Sequence, residues 1–234
     1  MTRQDWLRLL DRFGAAAFGG LVAGFLVGGV GGRAAMFVLR LTSSDGVRGI
    51  ESDDGFTIGE FSAQTLFLLI ATTLVGGVLG LAYFLIRRWL PARGRPASAA
   101  AFFGVVGGAL VIHPDGVDFT LLDPAWLAVA LFVALPAAYG ALMVVVVERR
   151  LVVGTGLRKV HVVAAILLVV VGSIGLIPLA LTALVLVAFV ATRRWPGLQA
   201  VAEGRVAAWV VRVALVALAG LAAVALTSDV AEIL

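Results

Sequence analysis

The chain contains no cysteine among its 234 residues. Disulfides, thiolate metal sites, iron–sulfur clusters, covalently attached haem and cysteine nucleophiles are therefore all excluded. Lysine occurs once, as Lys159, and histidine twice, as His113 and His161. Lys159 lies at a predicted helix end, which excludes a retinal-type Schiff base in the last span. The two histidines fall on opposite sides of the predicted membrane, which excludes a bis-histidine haem.

Charge is scarce as well. Only 14% of the residues are charged and 62% are hydrophobic, whereas soluble domains are roughly 45–50% apolar. Together with a mean hydropathy of +1.09, this composition predicts an integral membrane protein of the all-α class. The net charge of +4 then reflects the arrangement of the chain in the bilayer, and we expect no nucleic-acid partner.

The apolar runs predict about seven transmembrane helices, because a spanning helix needs about 20 apolar residues. Five runs fit single spans, at 14–39, 63–86, 97–112, 124–147 and 206–227. A longer run has Gly172, Gly175 and Pro178 at its middle, which favours a break and a third hairpin, although one long span remains an alternative. The chain 1–234 is thus a single transmembrane domain, predicted as an interfacial helix 1–13, hairpins 14–90, 97–150 and 160–192, and a last span 206–228.

Basic residues orient these spans, because cytoplasmic loops of membrane proteins are enriched in lysine and arginine. With the N-terminus cytoplasmic and the C-terminus extracytoplasmic, few of the 18 basic residues lie outside: Arg33, Arg40 and Arg48. Few of the 14 acidic residues lie inside: Asp5, Asp11, Glu148 and Glu203. We therefore expect a multi-pass protein of the cell membrane with an acidic extracytoplasmic surface.

Two further patterns concern the packing of the helices. The loop sequences DGFTI (54–58) and DGVDFTL (115–121) are alike, and each joins the two helices of a hairpin that ends in an arginine pair, which predicts an internal repeat of helical hairpins. Small residues at four-residue spacing let helices approach closely, and the first span carries such a glycine stripe: Gly20, Gly24, Gly28 and Gly32. Packing within the chain is the favoured interpretation, and a homo-oligomer or partner membrane subunit is the alternative.

The candidate binding site is the acidic outer surface. Six residues of the two outer loops would supply it: Glu51, Asp53, Asp54, His113, Asp115 and Asp118. Carboxylates with one imidazole suit a divalent cation, so a cation is possible although no cofactor is predicted. Ion pairing with Arg33 and Arg40, or plain solvation, would explain the same residues. Asp123 before Pro124 is interpreted as a helix N-cap.

The stretches VRGIESDDGFTIGEFS (47–62) and VIHPDGVDFTLLDPAWLAVALFVALPAAYG (111–140) resemble a family of uncharacterised multi-pass membrane proteins from high-GC bacteria. The resemblance covers residues 14–150. It implies a multi-pass membrane fold and carries no reaction and no catalytic residues.

Three functions remain open at this stage. The favoured one is a non-enzymatic scaffold, accessory or sensing component of the membrane. The first alternative is a transporter or channel for a cation or small solute that enters at the acidic loops. The second is a membrane-embedded metal-dependent enzyme with His113 and nearby carboxylates as ligands.

Overall fold

The computed structural model describes residues 3–44, 63–152, 159–172, 187 and 204–234. Within these ranges every regular element is helical, which confirms the predicted all-α class. The elements in chain order are α1 (Arg3–Ala23), a π-helical segment (Gly24–Gly31), α2 (Gly32–Thr42), α3 (Ala63–Ile86), α4 (Arg95–Val111), α5 (Val117–Thr120), α6 (Ala125–Val152), α7 (Lys159–Gly172) and α8 (Arg205–Ile233).

Among the described residues, four helical segments are long and apolar enough to cross a membrane: Leu7–Thr42, Ala63–Ile86, Ala125–Leu151 and Arg205–Ile233. Two shorter apolar helices accompany them, Arg95–Val111 and Lys159–Leu168. The predicted helix at 63–86 has the bounds of α3, and α4, α6 and α8 lie close to the other predicted runs. Most of the proposed hairpin at 160–192 lies outside the described residues beyond Gly172.

The first helix is longer than the sequence predicts. It runs without a break from Arg3 through the π-helical segment to Thr42, and Asp11 and Phe13 are buried in it. The predicted division at residue 13 is therefore not a break in the helix, and an interfacial position of 1–13 stays a prediction. Four of the eight π-helical residues are glycine, whose low helix propensity favours a local departure from α-geometry.

The core of the bundle forms where α1 and α3 pack in opposite directions. A Cβ on Gly20 would overlap the carbonyl of Gly76, and a Cβ on Gly24 would overlap the carbonyl of Thr72. The backbones therefore touch, which only glycine permits at these points. The glycine stripe thus packs within the chain at Gly20 and Gly24, whereas a Cβ on Gly32 would meet nothing within 4 Å.

A second helix pair is formed by α4 and α6, again through small residues. A Cβ on Gly104 would lie 3.1 Å from the Cβ of Ala137, and one on Gly107 would lie 2.5 Å from the Cβ of Pro136. The predicted partners within each of the first two hairpins are thus neighbours in space. A repeat relating the two pairs stays a prediction.

Candidate functional site

The loop after α4 carries three of the six predicted site residues. Helix α4 ends at Val111, Ile112 is extended, and the amide of Gly116 donates to the carbonyl of His113 at 3.0 Å. His113 and Asp115 are exposed, whereas Asp118 is 3% exposed on the short helix α5. The loop therefore presents His113 and Asp115 to the surroundings and turns Asp118 into the packing.

The other three predicted residues, Glu51, Asp53 and Asp54, lie outside the described residues. Their convergence with His113 and their pairing with Arg33 and Arg40 therefore stay predictions. Within the described part of the chain, no group of three histidine, aspartate or glutamate side chains is arranged to hold a metal ion.

The same end of the bundle is tied together by hydroxyl groups at the end of α2. The Thr42 hydroxyl donates to the carbonyl of Asp123 at 2.5 Å, and the amide of Asp123 donates to Ser43 Oγ at 2.8 Å. The described contacts of Asp123 thus use its backbone, and they hold the start of α6 against the end of α2. The cap proposed for its side chain stays a prediction.

The opposite end of the bundle contains an ionic cluster that the sequence analysis does not predict. Glu148 on α6 accepts from the Tyr83 hydroxyl at 2.6 Å, from Arg87 Nη2 at 2.7 Å and Nε at 3.0 Å, and from Arg95 Nη1 at 3.0 Å. Arg95 also donates to the carbonyl of Arg87 at 2.9 Å. One carboxylate therefore joins α3, α4 and α6; we call these residues, Tyr83, Arg87, Arg95 and Glu148, the Glu148 cluster.

Local backbone geometry positions the Glu148 cluster. Gly94, just before α4, has φ +75°, a left-handed conformation that glycine adopts without steric cost. This turn starts α4 at Arg95 and returns its guanidinium towards Arg87 and Glu148. The hydrogen bond to Glu148 raises the pKa of the Arg87 guanidinium above its ordinary value, while burial acts in the opposite direction.

A second buried pair lies at this end, between α1 and α7. His161 Nδ1 and Asp11 Oδ1 are 2.7 Å apart, and the His161 side chain is fully buried. A Cβ on Gly14 would overlap the carbonyl of His161, so the two helices touch here. The two histidines thus lie at opposite ends of the bundle, as the sequence predicts.

The polar groups inside the apolar helices bond within the bundle. Thr72 and Thr73 donate to the carbonyls of Leu68 and Leu69 at 2.8 and 2.5 Å. The Tyr139 hydroxyl donates to the carbonyl of Gly76 at 2.9 Å, linking α6 to α3. The two threonine hydroxyls are therefore satisfied within their own helix, and the Tyr139 hydroxyl links two helices.

Comparison with known proteins adds no relative: no protein-family model matches the chain, and no curated protein and no solved structure matches it. The family resemblance of the two outer loops therefore stays an expectation.

Proposed function

We propose that the chain is a multi-pass membrane protein that acts as a non-enzymatic scaffold, accessory or sensing component. The observation that carries this proposal is that hydroxyl groups inside the bundle donate hydrogen bonds to its own backbone. A solute pathway needs polar groups that face water or substrate. Thr72, Thr73 and Tyr139, the polar side chains nearest the middle of the described bundle, instead donate to backbone carbonyls.

Close backbone packing supports the same proposal. At Gly20, Gly24 and Gly80 an added Cβ would overlap the backbone of the facing helix. Such contact leaves no room for a solute between the first helix and α3 at those levels. Transport through this part of the bundle would require the two helices to separate.

In the proposed arrangement the chain has seven spans, a cytoplasmic N-terminus and an extracytoplasmic C-terminus. The Glu148 cluster and the Asp11–His161 pair then join the cytoplasmic helix ends. His113 and Asp115, both exposed, then face outwards, where they are available to a partner or ligand. The sensing or scaffolding role belongs to this outer surface.

A flux measurement tests the proposal against transport. The purified chain is reconstituted in liposomes, and uptake of K⁺, Mg²⁺ and protons is compared with that of protein-free liposomes. We expect no difference. Cation uptake that falls in His113→Ala but persists in Glu232→Gln, which alters an exposed carboxylate at the end of α8, would refute the scaffold proposal and favour a transporter.

Metal analysis tests it against the enzyme alternative. We expect the purified chain to hold no stoichiometric divalent ion. One Zn²⁺ or Mn²⁺ per chain, lost in His113→Ala, would instead favour a metal-dependent enzyme. A photo-cross-linker introduced at position 115 in native membranes then tests the scaffold role directly. We expect one defined second protein to be cross-linked at the outer surface.

A further inference from the structure

The described bundle contains two separate hydrophobic cores. The first lies towards the Glu148 cluster, and its buried residues include Phe13, Leu21, Leu81, Met143, Val147 and Leu168. The second lies towards the loop of His113, and its buried residues are Leu39, Ile112, Phe119, Leu122 and Ala128. We call them the Glu148-side core and the His113-side core. The first helix, α4 and α6 contribute to both cores, whereas the described residues of α3 and α7 contribute only to the Glu148-side core.

Small residues occupy the level between the two cores. On the first helix this level is 28–35, on α4 it is 104–111, and on α6 it is 134–138; we call these three stretches the crossing level. Most of their residues are glycine, alanine or proline. Interdigitated large side chains are what fixes one packed helix against another. The crossing level has few of them, so it resists relative movement of the two cores less than the cores resist deformation.

The first helix departs from α-geometry at this level. Its π-helical segment ends at Gly31, and the amide of Gly32 still donates to the carbonyl of Val27, five residues back. A Cβ on Gly32 would meet nothing within 4 Å. Sharp bends in helices occur at π-bulges and at proline, and glycine lowers the cost of leaving helical geometry. The first helix can therefore bend where it enters the crossing level.

Helix α6 has its own irregularity at the same level, Pro136. Proline lacks an amide hydrogen, so the carbonyl four residues earlier loses its usual donor. The neighbouring helices meet α6 at this point. A Cβ on Gly31 would lie 3.1 Å from Leu135 Cδ2, and one on Gly107 of α4 would lie 2.5 Å from the Cβ of Pro136. The weak points of the first helix and α6 thus lie beside each other and beside a glycine of α4.

Each core, by contrast, is fastened internally. On one side the Glu148 cluster joins α3, α4 and α6, and the carbonyl of Gly76 lies against Gly20. On the other side the hydroxyls of Thr42 and Ser43 bond to the backbone of Asp123. Two bodies that are each tied together, and are joined through bendable helices, have the construction of a hinge.

We propose that the crossing level is a hinge, on which the His113-side core moves as a unit relative to the Glu148-side core. The exposed His113 and Asp115 move with the first of these units. Their position relative to the Glu148 cluster is then variable. The inference goes beyond the scaffold role, and it depends neither on that role nor on the orientation in the membrane.

Distance measurements between spin labels test the hinge, and the absence of cysteine makes the labels specific. The full chain in lipid nanodiscs carries Ser44→Cys with Ala92→Cys, which spans the crossing level. The reference pair is Ala92→Cys with Lys159→Cys, which lies at the Glu148 side alone. All three positions are exposed. We expect double electron–electron resonance to give a broader distance distribution for the spanning pair than for the reference pair.

A stiffened variant, Gly32→Ala with Pro136→Ala, should remove the extra width of the spanning pair. Alanine at 136 keeps the Cβ that meets Gly107 and restores an amide donor, and alanine at 32 enters open space. The reference pair should not change in this variant. If the double variant proves misfolded, Gly32→Ala alone should narrow the distribution in the same direction.

The matched control is Gly220→Ala, which also adds a methyl group in open space but on α8, outside the three stretches. We expect the width of the spanning pair to persist in it. Equal widths for the two pairs in the parent chain overturn the proposal. A width that survives the stiffening substitutions, or that Gly220→Ala removes equally, overturns it as well. None of these results bears on the flux test of the scaffold role.

Discussion

At the scale of single residues, one half-buried carboxylate, Glu148, joins the helices at one end of the bundle. Glu148 accepts hydrogen bonds from three side chains, one on α3, one just after α3 and one at the start of α4. A carboxylate that leaves water must recover its hydration through such bonds. The Glu148 cluster therefore stabilises the packing of α3, α4 and α6 against one another.

Glu148→Gln should lower the free energy of unfolding by about 2 kcal/mol, because hydrogen bonds to a charged acceptor are lost and two guanidinium groups lose their counter-charge. Thermal unfolding in detergent, followed by circular dichroism, measures the change. Glu232→Gln, an exposed carboxylate near the end of α8, should leave the unfolding midpoint unchanged. If both variants unfold alike, the cluster has no stabilising role.

The Asp11–His161 pair makes a separate prediction. A double-mutant cycle of Asp11→Ala and His161→Ala should give a coupling of about 1–3 kcal/mol, since the two side chains are buried and in contact. The same cycle with Arg12→Ala in place of Asp11→Ala should give none, because Arg12 is the exposed neighbour. A coupling within error for Asp11 would mean that the pair is not formed in the membrane.

At the scale of elements, the helices were largely predictable, and their contacts were not. Glu60 precedes the apolar run of α3 and Arg87 follows it, so the bounds of this helix follow from the sequence. The partners of Glu148, by contrast, are 53 to 65 residues away, and Asp11 is 150 residues from His161. Periodicity describes one helix at a time and does not identify a distant partner.

The loop after α4 shows the same division. The sequence places His113 and Asp115 in a turn after α4, and the structure agrees. The sequence does not reveal that Asp118 is buried while His113 and Asp115 are exposed, because that depends on how α5 meets α6. One signal in the sequence was missed. Glu148 is a lone acid directly before the arginine pair 149–150, and an isolated acid among basic residues suggests an ion pair inside the protein.

The glycine stripe makes a prediction at this scale, using one substitution at two positions. Gly20→Ala should lower the free energy of unfolding by about 1–3 kcal/mol, because the new methyl group meets the backbone of α3. Gly32→Ala should be neutral or slightly stabilising, since nothing is nearby and alanine favours helix. Thermal unfolding of both variants checks the difference, and equal midpoints would contradict the packing of α1 on α3.

At the scale of the whole molecule, the absence of cysteine makes the orientation directly measurable. Ser44→Cys and Ser228→Cys introduce one thiol each at the ends predicted to face outwards, and Ala92→Cys one at the end predicted to face inwards. A membrane-impermeant maleimide added to intact cells should label the first two and not the third. Labelling of Ala92→Cys alone would mean that the orientation is inverted.

In the proposed membrane arrangement, the length of the first helix has a consequence for the surrounding bilayer. Its apolar segment, Leu7–Thr42, has 36 residues, which is about 54 Å at 1.5 Å per residue. The hydrocarbon core of a bilayer is roughly 30 Å thick, and such a mismatch is relieved by tilting, by local thickening of the bilayer or by protrusion of the helix ends. Because α3 is joined to this helix by backbone contact, the two must tilt together. The protein would therefore stand at a different angle in bilayers of different thickness.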